Sequence, residues 1–269
     1  MLTIPSTAIS AFKRCPKSYD IAYNRMLTPK LRNDRMNEGI AIHAILAYNI
    51  GKNDEASTEK YNQACFEFPD MLKVVEMYLK HNPTPGNIIA IEEPIFTPII
   101  PGVTLRTTLD LIYERAETGQ IVVRDFKSFE KSPSFDTDLD FQARLFTEVV
   151  RRKYPNQDVY FEIEAIRNKT PGTKNSKGAW REEECYIRQP IYTSLSETAD
   201  IWQETIWVAE NILKTIEDKK FYRVPLQVGP HSCNSCSYRE LCKREIKNGG
   251  LDQYDLEELS IPRDPITLH

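Results

Sequence analysis

Two short acidic stretches stand out for the chemistry they could do. Leu109-Asp110-Leu111-Ile112-Tyr113 is followed by Val123-Arg124-Asp125-Phe126-Lys127, with Glu117-Thr118-Gly119-Gln120 as a turn between them. Both stretches are rich in Val, Ile, Leu and aromatic residues, as strands are. Side chains alternate along a strand, so Asp125 and Lys127 share the face that carries Ile121 and Val123. The hairpin register decides where Asp110 lies. A two-residue turn at Thr118-Gly119 sets Asp110 opposite Lys127, and a four-residue loop from Ala116 to Gly119 sets it opposite Asp125. A three-residue loop turns it away unless a bulge restores it. Two carboxylates beside the backbone carbonyl of Phe126 offer hard oxygen ligands to Mg2+ or Mn2+. Such an ion lowers the pKa of a bound water and neutralises charge on a phosphorane. Lys127 would orient or deprotonate that water, or stabilise the developing charge. The set suits phosphodiester hydrolysis, and the competing reading is a cross-strand salt bridge with a spare Asp.

A second constellation is sulfur-based. Of the six cysteines, Cys233, Cys236 and Cys242 follow C-x2-C-x5-C. In a cytosolic protein such spacing points to metal rather than disulfides. Three thiolates need a fourth ligand. Pro16 disfavours helix at Cys15 and suits the first position of a following helix, so Cys15 falls at a corner. His231 is a weaker alternative. Zinc and iron–sulfur clusters both accept four thiolates, and the bare spacing favours zinc. Cys65, in a helical stretch, and Cys185, in a strand, read as ordinary residues.

The elements that must position these groups follow from periodicity. Residues 5–35 read as helix interrupted at Pro16, with Ser6 as a cap. Residues 36–50 form a helix with Ile42, Ile45 and Leu46 on one stripe and with Gly39 and His43 one turn apart. Residues 57–81 are helical with a break near Pro69. Ile88–Phe96, Val103–Arg115 and Gln120–Phe129 read as strands, residues 138–153 as helix, and Val159–Arg167 and Glu183–Gln189 as strands. Thr170–Gly178 is a polar loop, and Ser194 with Glu197 is a capping box opening a helix to Asp218. This order predicts an α/β protein, a mixed sheet flanked by helices.

Asp110…Asp125-Phe126-Lys127 resembles the core of the PD-(D/E)XK nucleases. Gly39-Ile40-Ala41-Ile42-His43 resembles the Gly-x-x-x-His helix of RecB and AddB nuclease domains and of CRISPR-associated RecB-type exonucleases. Gln142 through Phe146 resembles their Gln-x-x-x-Tyr motif, with Phe in place of Tyr. One N-terminal cysteine with three C-terminal ones resembles the iron–sulfur staple of the same proteins. The resemblance implies a restriction-endonuclease-like core with catalytic Asp110, Asp125, Lys127 and Gln142. It implies a metal held by His43, Asp110, Asp125 and the Phe126 carbonyl, and it favours a [4Fe–4S] cluster on Cys15, Cys233, Cys236 and Cys242 over Zn2+. Glu92 or Glu93 sits where relatives often carry a Glu and is expected to play a supporting, structural part. The expected organisation is a single RecB-like nuclease domain over 1–269. Its cluster-binding segments are 1–35 and 219–247, its nuclease core is 36–218, and its acidic tail is 248–269.

The bulk properties bound this picture. Hydrophobic residues make up 41% of 269, enough for a core, and the net charge of -4 argues against a surface coated in cations. Basic residues nevertheless cluster in four places: Lys13 to Arg35, Arg151-Arg152-Lys153, Arg167 to Lys177, and Arg239 to Lys247. These suggest a DNA track, with Arg144, Phe146, Lys174 and Lys177 as candidate contacts. No apolar run of membrane-spanning length and no secretory leader is recognisable, so no membrane partner and a cytoplasmic location are expected, in a bacterial cell or in the host of a phage. The expected activity is a DNA exonuclease or end-processing nuclease acting on single-stranded or free ends in recombination, repair, phage or CRISPR adaptation. No Gly-x-x-x-x-Gly-Lys-[Ser/Thr] stretch occurs, so a helicase or CRISPR partner subunit would supply any motor. The alternative is an adaptor that binds DNA on the same fold and cleaves poorly.

Overall fold

The computed structural model describes residues 2–30, 34–83, 86–130, 141–170, 172–175, 178–179, 181–224 and 233–263. The chain runs β1 (Leu2–Pro5), α1 (Ser6–Arg14), α2 (Pro16–Tyr19), a π-helical turn (Asp20–Asn24), β2 (Leu27–Pro29), α3 (Asp34–Ile50), α4 (Glu55–Glu67) and α5 (Pro69–His81). It continues with β3 (Asn87–Ile100), β4 (Val103–Glu114), β5 (Ile121–Phe129), α6 (Phe141–Lys153), β6 (Val159–Arg167), β7 (Lys174–Asn175), β8 (Gly178–Ala179), β9 (Tyr186–Ile191) and α7 (Leu195–Asp218). It closes with α8 (Arg239–Asn248), α9 (Gln253–Leu259) and β10 (Ser260–Pro262). Two compact units result: Met1–Arg32 with Phe96–Thr107 and Gln203–His269, and Asn33–Ile95 with Thr108–Trp202.

The second unit carries the mixed sheet. β4 pairs with β5 antiparallel, β5 with β6 parallel, and β6 with β9 antiparallel. The parallel step needs a crossover, and α6 supplies it. Alternation sorts the two faces of β5. Val122 and Phe126 join Ile42, Ile45 and Leu46 of α3 and Val74, Val75 and Tyr78 of α5 in one apolar core. The alternate residues face the α6 side, where Phe146 and Phe161 pack ring against ring at 6.4 Å. The register pairs Leu111 with Arg124 and Glu114 with Ile121. One further step sets Asp110 against Asp125, the outcome expected of a four-residue loop. The turn closes through Gly119 N–H donating to Arg115 O at 2.8 Å, with Gly119 at a left-handed φ of 69°.

The capping box forms as expected. Ser194 Oγ accepts from Glu197 N at 3.2 Å, and Ser194 N donates to Glu197 Oε2 at 2.7 Å. Ser194→Ala is expected to cost about 1 kcal/mol, read as a lower urea midpoint with unchanged slope.

The first unit departs more from expectation. α1 begins at Ser6 itself and has no side-chain cap. Helix ends well before residue 35, because Leu27–Pro29 is a strand paired antiparallel with Ser260–Pro262. The segment expected as an acidic tail therefore folds onto the N-terminal segment. Arg263 N donates to Met26 O at 2.7 Å, and the Arg263 guanidinium lies 4.3 Å over the Tyr23 ring. In the second unit, the strand expected from Glu183 begins at Tyr186, after a 3-10 turn at Glu182–Glu184. Cys185 sits buried between that turn and β9 rather than inside a strand. Within and just beyond the polar loop, β7 and β8 pair antiparallel.

Candidate active site

The site forms where β4 and β5 stop pairing. Beyond Leu111 the Asp110 carboxylate replaces the partner backbone: its Oδ2 accepts from Phe126 N–H at 2.7 Å. Its Oδ1 lies 3.3 Å from His43 Nδ1. α3 can bring His43 this close because Gly39, one turn earlier, carries no side chain. A Cβ there would meet Ser128 Oγ of β5 at 3.0 Å. Lys127 Nζ lies 2.7 Å from Asp125 Oδ2, close enough for charge pairing although that oxygen accepts no hydrogen bond of good geometry. Gln142 of α6 ties the pair together, donating to Asp125 Oδ1 and accepting from Lys127 Nζ, both at 3.1 Å.

The charges are set by burial and by each other. Burial opposes ionisation of Asp110, but His43, the Phe126 N–H and Lys127 hold its carboxyl below the usual range. Burial would lower His43, yet Asp110 beside it outweighs this and raises it to about 9. Burial pushes Asp125 up to about 6, helped by the Asp110 charge and opposed by Lys127. In cation-free protein, the His43 contribution to stability is fully present below its ordinary value of 6.5 and is lost as pH rises through about 9. The thermal midpoint in chelator is expected to fall over that window, and His43→Gln should flatten the fall.

Of the two glutamates that the resemblance offers, Glu92 belongs to this neighbourhood. β3 kinks there, at a left-handed φ of 45°. Lys52 Nζ clamps the kink by donating to the carbonyls of Ile91 at 3.0 Å and Glu92 at 2.7 Å. Burial raises the Glu92 carboxyl, and the Asp110 charge adds to the rise. Its neighbour Glu93 is exposed. Nothing in residue type separates the two glutamates, and only the backbone kink does. Non-glycine residues held in this conformation concentrate at functional sites.

Two carboxylates, an imidazole and a backbone carbonyl are a suitable donor set for a divalent cation. Among the described residues, no three His, Cys, Asp or Glu side chains converge to single-ion spacing. Here His43 and Lys127 occupy the acidic oxygens instead. A cation would have to displace Lys127 from Asp125 and the proton from His43, as expected where ligand sites and protons compete.

Cys15, Cys233, Cys236 and Cys242 lie in the first unit, and none of them forms a disulfide. Cys15 adopts extended backbone, φ -165° and ψ 111°, at the corner between α1 and α2. Burial raises the Cys236 thiol, and the charges of Cys15 and Cys233 add to the rise, so these three sulfurs are within electrostatic reach. Cys242 Sγ accepts from Arg223 Nε at 3.2 Å. The four do not reach the spacing of a single ion, which for zinc means bonds of ~2.3 Å. Four thiols are the donor type that zinc and iron–sulfur clusters both take, but the structure assembles no cysteine cluster for a metal among the described residues.

The expected DNA contacts fare unevenly. Phe146 is buried in the α6 core, 4% exposed, so stacking on bases is closed to it. Arg144 lies 3.8 Å from Glu197. The Lys174 backbone lies in β7, while its side chain and all of Lys177 fall outside the described residues. Parts of the basic clusters are neutralised internally. Lys17 is buried against Asp20 and Glu245, Arg152 pairs with Glu148, and Arg244 pairs with Asp255 and Glu258. No helix among the described residues is long and apolar enough to cross a membrane.

A mixed sheet whose central hairpin ends in this acidic and basic set defines a class. The PD-(D/E)XK nuclease superfamily matches residues 5–243, and the chain belongs to it. A structure from Eubacterium rectale, named as a candidate exonuclease, shares the fold: TM-score 0.50 and 10% identity, over 83% of this chain and 85% of that one. The structure of SSO0001 aligns over 91% of this chain and 84% of that one, at 14% identity and a TM-score of 0.39. No curated protein matches the sequence significantly.

Proposed function

We propose that the protein is a Mg2+- or Mn2+-dependent DNA exonuclease or end-processing nuclease acting on single-stranded or free ends. One observation carries this reading: at the open end of one hairpin Asp110 accepts from the Phe126 N–H at 2.7 Å, while Lys127 and Gln142 of α6 lie 2.7–3.1 Å from Asp125 and from one another. His43, Asp110, Asp125 and the Phe126 carbonyl would hold the cation. When bound, that ion supplies an acidified water and charge neutralisation at the phosphate. Lys127 presents its ammonium beside Asp125 and stabilises charge gathering on the phosphate oxygens. Gln142 fixes Lys127 and Asp125 relative to one another. Glu92 adds a third carboxylate within electrostatic reach of Asp110.

The reading includes a [4Fe–4S] cluster on Cys15, Cys233, Cys236 and Cys242 in a structural role, with Zn2+ as the competing metal. It includes a cytoplasmic setting in recombination, repair, phage or CRISPR adaptation, with any helicase on a separate subunit. End-labelled oligonucleotides incubated with Mg2+, Mn2+ or chelator test the activity. Cleavage should require the ion and disappear in Lys127→Ala. Equal background in wild type, Asp110→Ala and Lys127→Ala would favour the adaptor instead. Anaerobic purification tests the cluster: broad visible absorbance with iron supports it, and a colourless zinc protein removes it.

A further inference from the structure

We propose that a cavity in the first unit is a second DNA-binding site, taking the phosphodiester backbone of a single strand on Lys219 and Lys220 and one base on Tyr222. The idea rests on the DNA substrate proposed above. The cavity encloses about 660 Å3, lined by Lys17, Arg25, Lys219, Lys220 and Tyr222, with Asp20 as its one carboxylate. That volume lies within the range of ordinary ligand pockets.

Charge decides what the cavity favours. Asp20 is saturated: its Oδ2 accepts from Lys17 Nζ and Arg25 Nε, and its Oδ1 accepts from Asn24. Behind it, Glu245 accepts from Lys17, Arg25 and Arg223. Of the lining residues, four cations (Lys17, Arg25, Lys219 and Lys220) thus face one carboxylate (Asp20), a local excess of three in a chain whose net charge is -4. Glu217 and Asp218 precede the lysines on α7 but do not line the cavity. A local positive excess in an acidic protein selects an anion, and a nuclease meets phosphodiesters.

The segment is also pre-organised. Lys219 sits at a left-handed φ of 54°. Its N–H donates to Ile216 O and the Lys220 N–H to Thr215 O, which turns the chain off the end of α7. Tyr222 O then accepts from Lys17 N at 3.0 Å, which pins the segment to α2. Lysines at a helix C-terminus also complement its dipole. That role alone requires neither a cavity nor an aromatic ring, and Tyr222 is 69% exposed beside them. Cations interleaved with an exposed ring are the usual means of holding a single strand.

The test uses full-length Asp125→Asn protein, which is meant to bind without cutting, and a fluorescein-labelled single-stranded oligonucleotide read by anisotropy across a salt series. Lys219→Gln with Lys220→Gln should weaken binding several-fold at low salt. It should also flatten the salt slope by roughly 1.4, two contacts at about 0.7 each. Lys219→Arg with Lys220→Arg should restore both values. Tyr222→Ala should weaken binding about tenfold with the slope unchanged. Wild-type affinity and slope in the glutamine variant, at unchanged thermal midpoint, overturn the site. Cleavage by the Asp125 protein with such an unchanged slope overturns this inference alone, whereas a parent that neither cuts nor binds DNA overturns the substrate reading as well.

Discussion

Asp125→Asn is expected to lose about 10^3-fold or more of phosphodiester cleavage while folding at least as well as wild type at pH 8. The two halves of this outcome come from one cause. Asp125 is 5% exposed, and burial raises its carboxyl from 3.8 to about 6. A value higher in the folded state means that the folded protein holds the proton more tightly. The corresponding stability is fully present below about 3.8 and is lost as pH rises through about 6. At pH 8 the wild type therefore carries a buried charge that folding disfavours. Asparagine keeps the shape and can still accept from Gln142 without that charge. Lys127, with its side chain 40% exposed, still donates to Gln142 Oε1 and meets solvent, so the lost charge pairing costs little. Melting in chelator should place the variant at or above wild type at pH 8, with the gap closing by pH 4. A variant that cuts at the wild-type rate removes Asp125 from the chemistry. A variant that unfolds makes its role structural.

The contrast between this site and its surroundings shows which physical signals the sequence carries. The hairpin is legible in the sequence through strand alternation, but its loop length is not: two-, three- and four-residue loops stay open, and the observed pairing is that of the four-residue loop, which fixes the faces of Asp110 and Asp125. Gly39 and His43 were recognisable as a pair, but the reason for Gly39 lies across space, at Ser128. Glu92 was undecided against Glu93 because a left-handed kink within a strand leaves no compositional trace. β2 leaves no periodic trace in the sequence, because Leu27–Pro29 is three residues long and is stabilised by Ser260–Pro262 at the other end of the chain. Lys17 reads as part of a surface cluster for the same reason. Its partner Glu245 lies 228 positions away, and nothing within one helical turn of Lys17 forecasts it.

That distant pairing leads to the second large effect. Glu245→Ala is expected to destabilise the protein by about 2–3 kcal/mol. Glu245 is the common acceptor of Lys17, Arg25 and Arg223, which approach from two separate stretches of chain. Breaking a fully buried ion pair usually costs ~3–5 kcal/mol, because a charge is stranded without water. Here the loss is smaller: Arg25 and Arg223 keep side-chain exposures of 35% and 38%, and Lys17 retains Asp20. Glu245→Gln, which keeps acceptor atoms without the charge, should fall between alanine and wild type. The pH dependence has a definite sign. Burial opposes ionisation of Glu245, but Lys17 and Arg25 hold its carboxyl below the usual 4.5, so its contribution is present above that value and is lost as pH falls through the lowered one. The same destabilisation should persist in protein stripped of metal, since no atom of this hub needs an ion. Equal midpoints for Glu245→Ala and wild type, together with unfolding of both by chelator, would mean that a thiolate-bound group, rather than this carboxylate, joins the N-terminal corner to α8.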